Sequence, residues 1–147
     1  MRRFSAAFVL ALCMAWRVAC GQSVGEQILA ALERYRLAVL EFDIEAQASS
    51  FTEDAELSQG SEPVVQGRTT IRALLSAQDS PKVVAYELHA AATRVQGSTA
   101  LQTGGYSQRM ITSQHESIRV RGLFEVQWSR QHDGSWLISR LHTDPVD

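Results

Sequence analysis

The end of the chain carries two side chains that could act together on an anionic ligand. Arg140 and His142 continue the alternation of Trp136 and Ile138 along one predicted strand. Because side chains alternate between the two faces of a strand, all four are expected on one face. On a concave face, arginine would bind a carboxylate or enolate bidentately, and histidine would add a hydrogen bond or move a proton. The alternative is a frayed strand end that leaves Arg140 and His142 in water.

Other side chains are candidates for the same cavity. Tyr35 lies on the apolar face of the first predicted helix, where its hydroxyl either reaches a pocket or completes the core. Trp128 and Trp136 are expected in the core or pocket wall, and at a rim either ring would stack on a flat ligand. Asp54 is either a pocket carboxylate, and so a partner for a buried Arg140, or a local hydrogen-bond acceptor for the backbone.

The sequence lacks the patterns of the common cofactor and metal sites. His89 and His115 stand alone, without the paired spacing of a metal site, and no glycine-rich phosphate loop or Gly-x-Ser-x-Gly motif is present. Both cysteines, Cys13 and Cys20, lie near the N-terminus, so the rest of the chain has no disulfide and no cysteine nucleophile. We therefore expect no metal and no cofactor.

Three amphipathic helices are predicted in the first half of the chain. Apolar residues recur at three- and four-residue steps over residues 23–42, where Ser23 and Glu26 have the spacing of a capping box. Asp43 is a candidate N-cap for a second helix over residues 44–51, and a third is expected over about 69–78. These helices would cover one face of whatever sheet follows them.

The second half of the chain is predicted to form strands. Short strands at 55–59 and 63–66 precede longer ones at 82–95 and 99–112, the latter bent or bulged at Gly104-Gly105. The final hairpin turns at Asp133-Gly134, two residues that tolerate a positive φ angle. Helices followed by a long antiparallel meander indicate an α+β fold, and a sheet curved over a helix would leave a cavity.

An export signal is predicted at residues 1–21, followed by a single domain at 22–147. Arg2 and Arg3 precede a mostly apolar run over residues 4–16, which is too short to cross a bilayer as a helix, and small residues follow it. A periplasmic or secreted bacterial protein is therefore expected, with no transmembrane span in the mature chain. Lipidation of Cys20, or an anchor that is never removed, are the alternatives.

The charge of the mature chain excludes one class of partner. Removal of residues 1–19 takes away three arginines and no acid, so the formal net charge changes from −2 to −5. A mildly acidic surface argues against binding nucleic acid or anionic lipid.

The order of elements resembles the nuclear transport factor 2-like superfamily, and within it the SnoaL-like small domains. The resemblance rests on Tyr35 in the first helix, on residues 43–45 and 67–71 opening the later helices, on residues 51–55 leading into a strand, and on the final hairpin. It implies a cone-shaped, strongly curved antiparallel sheet packed on three helices, known also as a cystatin-like roll. A pocket opens at the wide end of the cone in this superfamily, and many members dimerise through the outer sheet face.

The resemblance also has implications for individual residues. In isomerases and dehydratases of the superfamily, a tyrosine at the place of Tyr35 donates a hydrogen bond to a substrate oxygen. An isomerase carries its catalytic aspartate near the place of Gln59, and a glutamine has no ionised form that could act as a base. Ketosteroid isomerase chemistry is therefore not expected.

Three hypotheses follow for the function. The first is a non-catalytic domain that binds a small organic ligand, a carboxylate among the candidates, through residues Tyr35, Gln59, Trp128, Trp136, Arg140 and His142. The second is a cofactor-free isomerase, cyclase or dehydratase in which Tyr35 polarises a carbonyl and His142 is the acid or base; it requires that both side chains open into one cavity. The third is an interaction module that forms a homodimer through the outer sheet face.

Overall fold

Two helices open the described chain, a third follows the first two strands, and the sheet is built mainly from the second half. The computed structural model describes residues 21–77 and 79–146, so most of the predicted export signal, Cys20 included, lies outside the described residues. The helices are α1 (Val24–Leu40), α2 (Ile44–Ser49) and α3 (Arg68–Leu75). The strands are β1 (Phe51–Gln59), β2 (Val65–Gln66), β3 (Lys82–Gln96), β4 (Thr99–Ile111), β5 (Ser117–Arg130) and β6 (Trp136–Val146). The predicted α+β class, with a sheet packed on N-terminal helices, is confirmed.

The predicted helix caps are confirmed at the first two helices. The Ser23 backbone N–H donates to Glu26 Oε2 at 2.8 Å, and the Glu26 N–H donates to Ser23 Oγ at 3.2 Å. Asp43 Oδ1 accepts from the N–H of Ala46 at 2.9 Å. Each bond satisfies a backbone donor that has no partner inside the helix, which fixes where the helix begins.

The six strands form one sheet in the order β2-β1-β6-β5-β4-β3. Strand β1 pairs with β6 in parallel, and the other neighbouring pairs are antiparallel. The parallel pair brings the first strand of the sheet beside the last, so that Ser58 is opposite His142. This long-range pairing decides which polar side chains meet on the outer face.

Two glycines on the inner face allow neighbouring strands and side chains to approach closely. A Cβ on Gly104 would collide with the carbonyl oxygen of His89 and the ring of Phe124. A Cβ on Gly122 would collide with the carbonyl oxygen of Asp144 and the ring of Tyr106. The neighbouring register shift lies on β3, between Ala90 and Ala92, opposite the glycine bend that the sequence predicted.

Helix α1 packs on the inner face of the sheet and completes the core. Both tryptophans of the final hairpin are buried there: Trp128 Nε1 donates to Gln102 Oε1 at 3.1 Å, and Trp136 Nε1 donates to Gln27 Oε1 at 3.3 Å. Their indole N–H groups therefore have partners within the protein, as buried polar groups usually do. Within the described residues, no helix is long and apolar enough to cross a membrane.

The turn between β5 and β6 is wider than a two-residue hairpin turn. The Gln131 N–H donates to the Ser135 carbonyl at 2.8 Å, and the Gly134 N–H donates back to the Gln131 carbonyl at 3.0 Å. Only Gly134 has a positive φ angle there, of 85°. The Asp-Gly pair therefore marks the turn correctly, but the glycine alone adopts the left-handed conformation.

Candidate functional site

A bulge in β6 reverses the predicted orientation of Arg140 and His142. Trp128 on β5 is opposite Ile138, whereas the preceding Gln127 is opposite Arg140, so Ser139 is an extra residue in the ladder. One extra residue moves every later side chain to the other face. Arg140 and His142 consequently lie on the outer face, and the prediction that they share the face of Trp136 and Ile138 is wrong.

Arg140 is paired with an acidic residue of the neighbouring strand β1. Its Nε lies 3.7 Å from Glu56 Oε2, and both side chains are close to half exposed. Asp54, the predicted alternative partner, instead accepts a hydrogen bond from Thr52 Oγ1 at 3.0 Å. Exposed ion pairs contribute little to stability, so Arg140 is neither a buried unpaired cation nor a strong structural anchor.

His142 lies in a hydrogen-bonded line of three side chains on the outer face. Its Nδ1 is 2.7 Å from Ser58 Oγ, and its Nε2 is 3.2 Å from Asp144 Oδ1. Serine, histidine and aspartate in contact are the side chains of a hydrolytic triad. However, Ser58 is only 8% exposed, and the adjoining depression of about 420 Å³ is lined by His142 and Asp144 but not by Ser58. The line therefore connects β1 to β6 rather than presenting a nucleophile.

Tyr35 is on the opposite side of the sheet from His142. It is buried on α1, and its ring meets Phe51 edge to face, with ring centroids 5.7 Å apart. Burial raises the pKa of the Tyr35 hydroxyl to about 12. Because Tyr35 and His142 do not open into one cavity, the predicted catalytic pair is wrong.

The other two tyrosines of the chain, Tyr86 and Tyr106, are not among the predicted site residues and are also buried. Burial raises the pKa of Tyr86, and the neighbouring phenols of Tyr35 and Tyr106 raise it further. Burial likewise raises the pKa of Tyr106, opposed by the nearby Thr143 hydroxyl. All three phenols therefore stay protonated near neutral pH, as uncharged hydrogen-bond donors.

Among the phenols of the described residues, that of Tyr106 is the one that is both sealed from solvent and without a hydrogen bond of normal geometry. Tyr106 is 5% exposed, and its hydroxyl has no hydrogen bond of normal geometry to any described residue. Leaving a buried donor unpaired costs about 1–3 kcal/mol. Tyr106 lies on the same face of β4 as Gly104. The alternating pattern of the strand alone did not predict which of its two faces points toward the core.

An apolar chamber lies between α1 and the inner face of the sheet. We call it the interior chamber; its walls are Leu32, Tyr35, Tyr86, Leu88, Phe124, Val126, Ile138 and Leu141. The space between these side chains is too small for a water molecule. Of the predicted ligand-binding residues, Tyr35, Trp128 and Trp136 lie on this inner side, whereas Gln59 is exposed at the end of β1 and Arg140 and His142 are outside.

Comparison with known proteins gives a family and several structures of the same fold. The SnoaL-like domain family matches residues 24–142. A ketosteroid isomerase-like protein from Erwinia carotovora atroseptica is 16% identical with a TM-score of 0.73, over 82% of this chain and 94% of that one. An NTF2-like protein with a cystatin-like fold from Novosphingobium aromaticivorans is 23% identical with a TM-score of 0.70, over 84% and 82%. ActVI-ORFA from Streptomyces coelicolor is 18% identical with a TM-score of 0.66, over 81% and 94%.

These identities establish a shared fold and no shared chemistry, because one fold hosts many activities. No curated protein sequence matches the chain.

Proposed function

Because the chain belongs to the SnoaL-like domain family, we propose that it is a non-catalytic binding domain that holds a small, uncharged organic molecule in the interior chamber. The observation that carries this proposal is the buried Tyr106 hydroxyl, which has no hydrogen bond of normal geometry among the described residues. Tyr106 does not line the chamber, but its phenol is close enough to that of Tyr86, in the chamber wall, to raise the pKa of Tyr86 beyond the effect of burial. A ligand that widens the chamber as far as Tyr106 and accepts a hydrogen bond from it would recover the free energy lost by its burial.

The uncharged walls of the chamber disfavour the carboxylate ligand that the sequence suggested. Its walls are hydrocarbon side chains and the two protonated phenols of Tyr35 and Tyr86. A carboxylate would lose its hydration there and find no cation, because Arg140 lies on the other face. A ketone, ester or ether oxygen on an apolar body fits the same donors without that cost.

Entry of a ligand requires the chamber to expand. The chamber has no room for water, and tightly packed side chains must move before any molecule can enter. Apolar cavities that have opened to this extent stay dry and accept small apolar molecules. Compact ligands such as cyclohexanone and acetophenone are therefore the appropriate first probes.

The proposal is tested by thermal unfolding with acetophenone, with benzoate as the charged counterpart of similar size. At about 100 times its dissociation constant, a bound ligand adds about 2.7 kcal/mol to the free energy of unfolding. We expect acetophenone to raise the melting temperature more than benzoate does, because a carboxylate bound elsewhere on the protein would also stabilise the folded state. The opposite order, or no response to any neutral aryl or alicyclic ketone, would contradict the proposal.

Substitution of Tyr106 separates binding from structure. Tyr106→Phe removes an unpaired buried hydroxyl, so the free protein should become more stable, by about 1 kcal/mol. The same variant should bind acetophenone several-fold more weakly. His142→Gln on the outer face is the control and should leave binding unchanged. Normal acetophenone binding by Tyr106→Phe would place the ligand elsewhere.

A second candidate function is a homodimer through the outer face of the sheet. Leu123, near the centre of that face, is 60% exposed and lies beside Gly105 across the strand pair. In a two-fold contact through this face, the exposed Leu123 of each copy would be removed from water. Light scattering at high micromolar concentration should give the mass of a dimer, and Leu123→Glu should give that of a monomer. A monomeric unmodified protein would exclude this function.

Export of the chain is also proposed, on the evidence of its sequence. The basic residues Arg2 and Arg3, the apolar run over residues 4–16 and the small residues around Cys20 support it. Mass spectrometry of the protein expressed in a bacterium should find a mature N-terminus at Gln22. A lipidated Cys20 would support the alternative anchor, and an intact N-terminus in the cytoplasm would contradict export.

A further inference from the structure

A groove on the helical side of the molecule is separate from the interior chamber. It lies between the C-terminal ends of α1 and α3, beside α2 and the start of β3, and encloses about 450 Å³. We call it the α1–α3 groove; its lining includes Val39, Phe42, Ile44, Gln47, Leu74 and Lys82. Phe42 is 45% exposed and Leu74 46% exposed, so two large apolar side chains face solvent across it.

Phe42 is held in this groove by a strained backbone. The Asp43 N–H donates to the Ala38 carbonyl at 3.0 Å, and the Phe42 N–H donates to the Val39 carbonyl at 3.3 Å. This pattern ends a helix with one residue in the left-handed conformation, a position that glycine usually occupies. Phe42 has a φ of 55° there. An aromatic ring that is exposed and also strained contributes little to the core, which points to a role at the surface.

The floor of the groove presents a hydrogen-bond acceptor. Gln47 is 5% exposed, and its side-chain nitrogen donates to the Ala38 carbonyl at 3.2 Å. Because a carbonyl oxygen only accepts, this bond fixes which end of the amide is the nitrogen. Gln47 Oε1 accepts no hydrogen bond from the side chains and backbone of residues 21–77 and 79–146, and it is not sealed from solvent. Because Gln47 lines the groove, a ligand hydroxyl or N–H can take the place of water at this oxygen.

The rim of the groove carries the only lysine of the chain. Lys82 Nζ lies 5.9 Å from the centroid of the Phe42 ring, a cation–π distance. No carboxylate of the described residues is within ion-pair distance of it. The nearby hydroxyls of Ser76 and Ser80 are occupied, since they donate to carbonyls of α3 at 2.8 and 3.2 Å. The positive charge of Lys82 is thus available to an anion beside an aromatic surface.

We propose that the α1–α3 groove binds a small aromatic carboxylate that carries a hydroxyl group. The aromatic ring packs against Phe42 and Leu74, the carboxylate faces Lys82, and the hydroxyl donates to Gln47 Oε1. Each part of the ligand matches one observed group: the exposed side chains of Phe42 and Leu74, the Lys82 ammonium without an ion-pair partner among the described residues, and the open amide oxygen of Gln47. This site shares no lining residue with the interior chamber and does not depend on its ligand.

The sole lysine provides a direct readout of binding. Reductive methylation with isotope-labelled methyl groups keeps the lysine charge and marks Lys82 and the N-terminal amine alone. We would titrate the methylated full chain with para-hydroxybenzoate, para-hydroxyphenylacetate and para-hydroxyphenylpropionate, which differ in length. At least one should shift the Lys82 methyl signal with saturation. Phenylacetate should bind three- to tenfold more weakly than its hydroxylated form, and tyramine, which carries an amine for the carboxylate, should not bind.

Two variants test the site without being expected to destabilise the folded protein. Phe42→Gly relieves the strained φ, so the melting temperature should stay the same or rise while affinity for the best acid falls at least tenfold. Lys82→Gln, an exposed change followed by chemical shifts of backbone amides, should weaken the acid and leave neutral para-cresol unchanged. Leu123→Ala on the outer face is the control. Absence of saturable binding by all three acids, or full binding by both variants, would overturn the proposal.

Discussion

The two faces of one sheet carry different kinds of chemistry in this protein. The inner face holds Trp128, Ile138 and the phenols of Tyr86 and Tyr106, buried and uncharged, against α1, which contributes Tyr35. The outer face holds Arg140 and His142, each beside an acid and partly exposed. A single extra residue, Ser139, separates the two sets along β6. Which face a polar side chain occupies is therefore decided by strand register as much as by residue type.

The largest expected effect comes from removing the bulge. Deletion of Ser139 would turn Arg140 and His142 toward the chamber and Leu141 toward solvent. An uncompensated buried charge costs about 3–5 kcal/mol, so the deletion variant should fail to fold by circular dichroism. Ser139→Ala is the control, since it keeps the bulge and loses only the Ser139 Oγ bond to the Gln127 carbonyl at 3.0 Å. A folded, stable deletion variant would show that the register is not fixed as described.

A second comparison uses one strand and its two faces. Trp128 and Leu123 are both on β5, but Trp128 is 1% exposed and Leu123 is 60% exposed. Trp128→Ala should destabilise the protein by about 3–5 kcal/mol, because it leaves a large cavity and an unpaired Gln102 amide. Leu123→Ala should change the free energy of unfolding of the monomer by less than about 0.5 kcal/mol. Urea denaturation at low protein concentration measures both; similar values would contradict the assignment of faces.

The buried phenols predict a loss of stability in alkali. The pKa of Tyr35 is raised from 10.0 to about 12, so the folded protein holds the proton more tightly than the unfolded chain does. The resulting stabilisation, about 2–3 kcal/mol for Tyr35, is present below pH 10 and is lost as the pH rises toward 12. Near-ultraviolet absorbance should show tyrosinate forming together with the loss of ellipticity. Ionisation of any of the three tyrosines in the folded protein near pH 10 would contradict their burial.

The close approach of the chain at Gly122 gives the smallest of these effects. Gly122→Ala places a methyl group against the Asp144 carbonyl and the Tyr106 ring, and should cost about 1–3 kcal/mol. Gly105 is the matched control, because a Cβ there would meet only the Gly122 carbonyl oxygen at 3.7 Å, an ordinary contact. Equal stability of the two alanine variants would show that Gly122 is not required for close approach of the strands.

Local features of the fold were predictable from the sequence, and long-range ones were not. The caps at Ser23 and Asp43 and the turn at Gly134 depend on residues within one or two turns of chain, so their signals are complete in the local sequence. The parallel pairing of Ser58 with His142 joins residues 84 positions apart, and nothing in either strand specifies it.

The candidate site was harder to predict, for a related reason. A one-residue bulge at Ser139 has no sequence signature, because serine is common in regular strands as well. The alternation of β6 therefore predicted the wrong face for Arg140 and His142. Tyr106 lies on the same face of the sheet as Gly104 and Gly122. Its burial could have been predicted only if these two glycines had been known to face inward.

The most direct test of the inner site is an NMR titration of the protein with ring-labelled tyrosine, using acetophenone and benzoate in parallel. All three tyrosines face the inside, so their ring signals report on the interior while His142 ring signals report on the outer face. We predict that acetophenone shifts the tyrosine signals, that of Tyr106 most, and shows nuclear Overhauser contacts to them, while benzoate does not. Shifts of the His142 ring signals with benzoate, together with unchanged tyrosine signals, would contradict the account. They would place the binding site on the outer face.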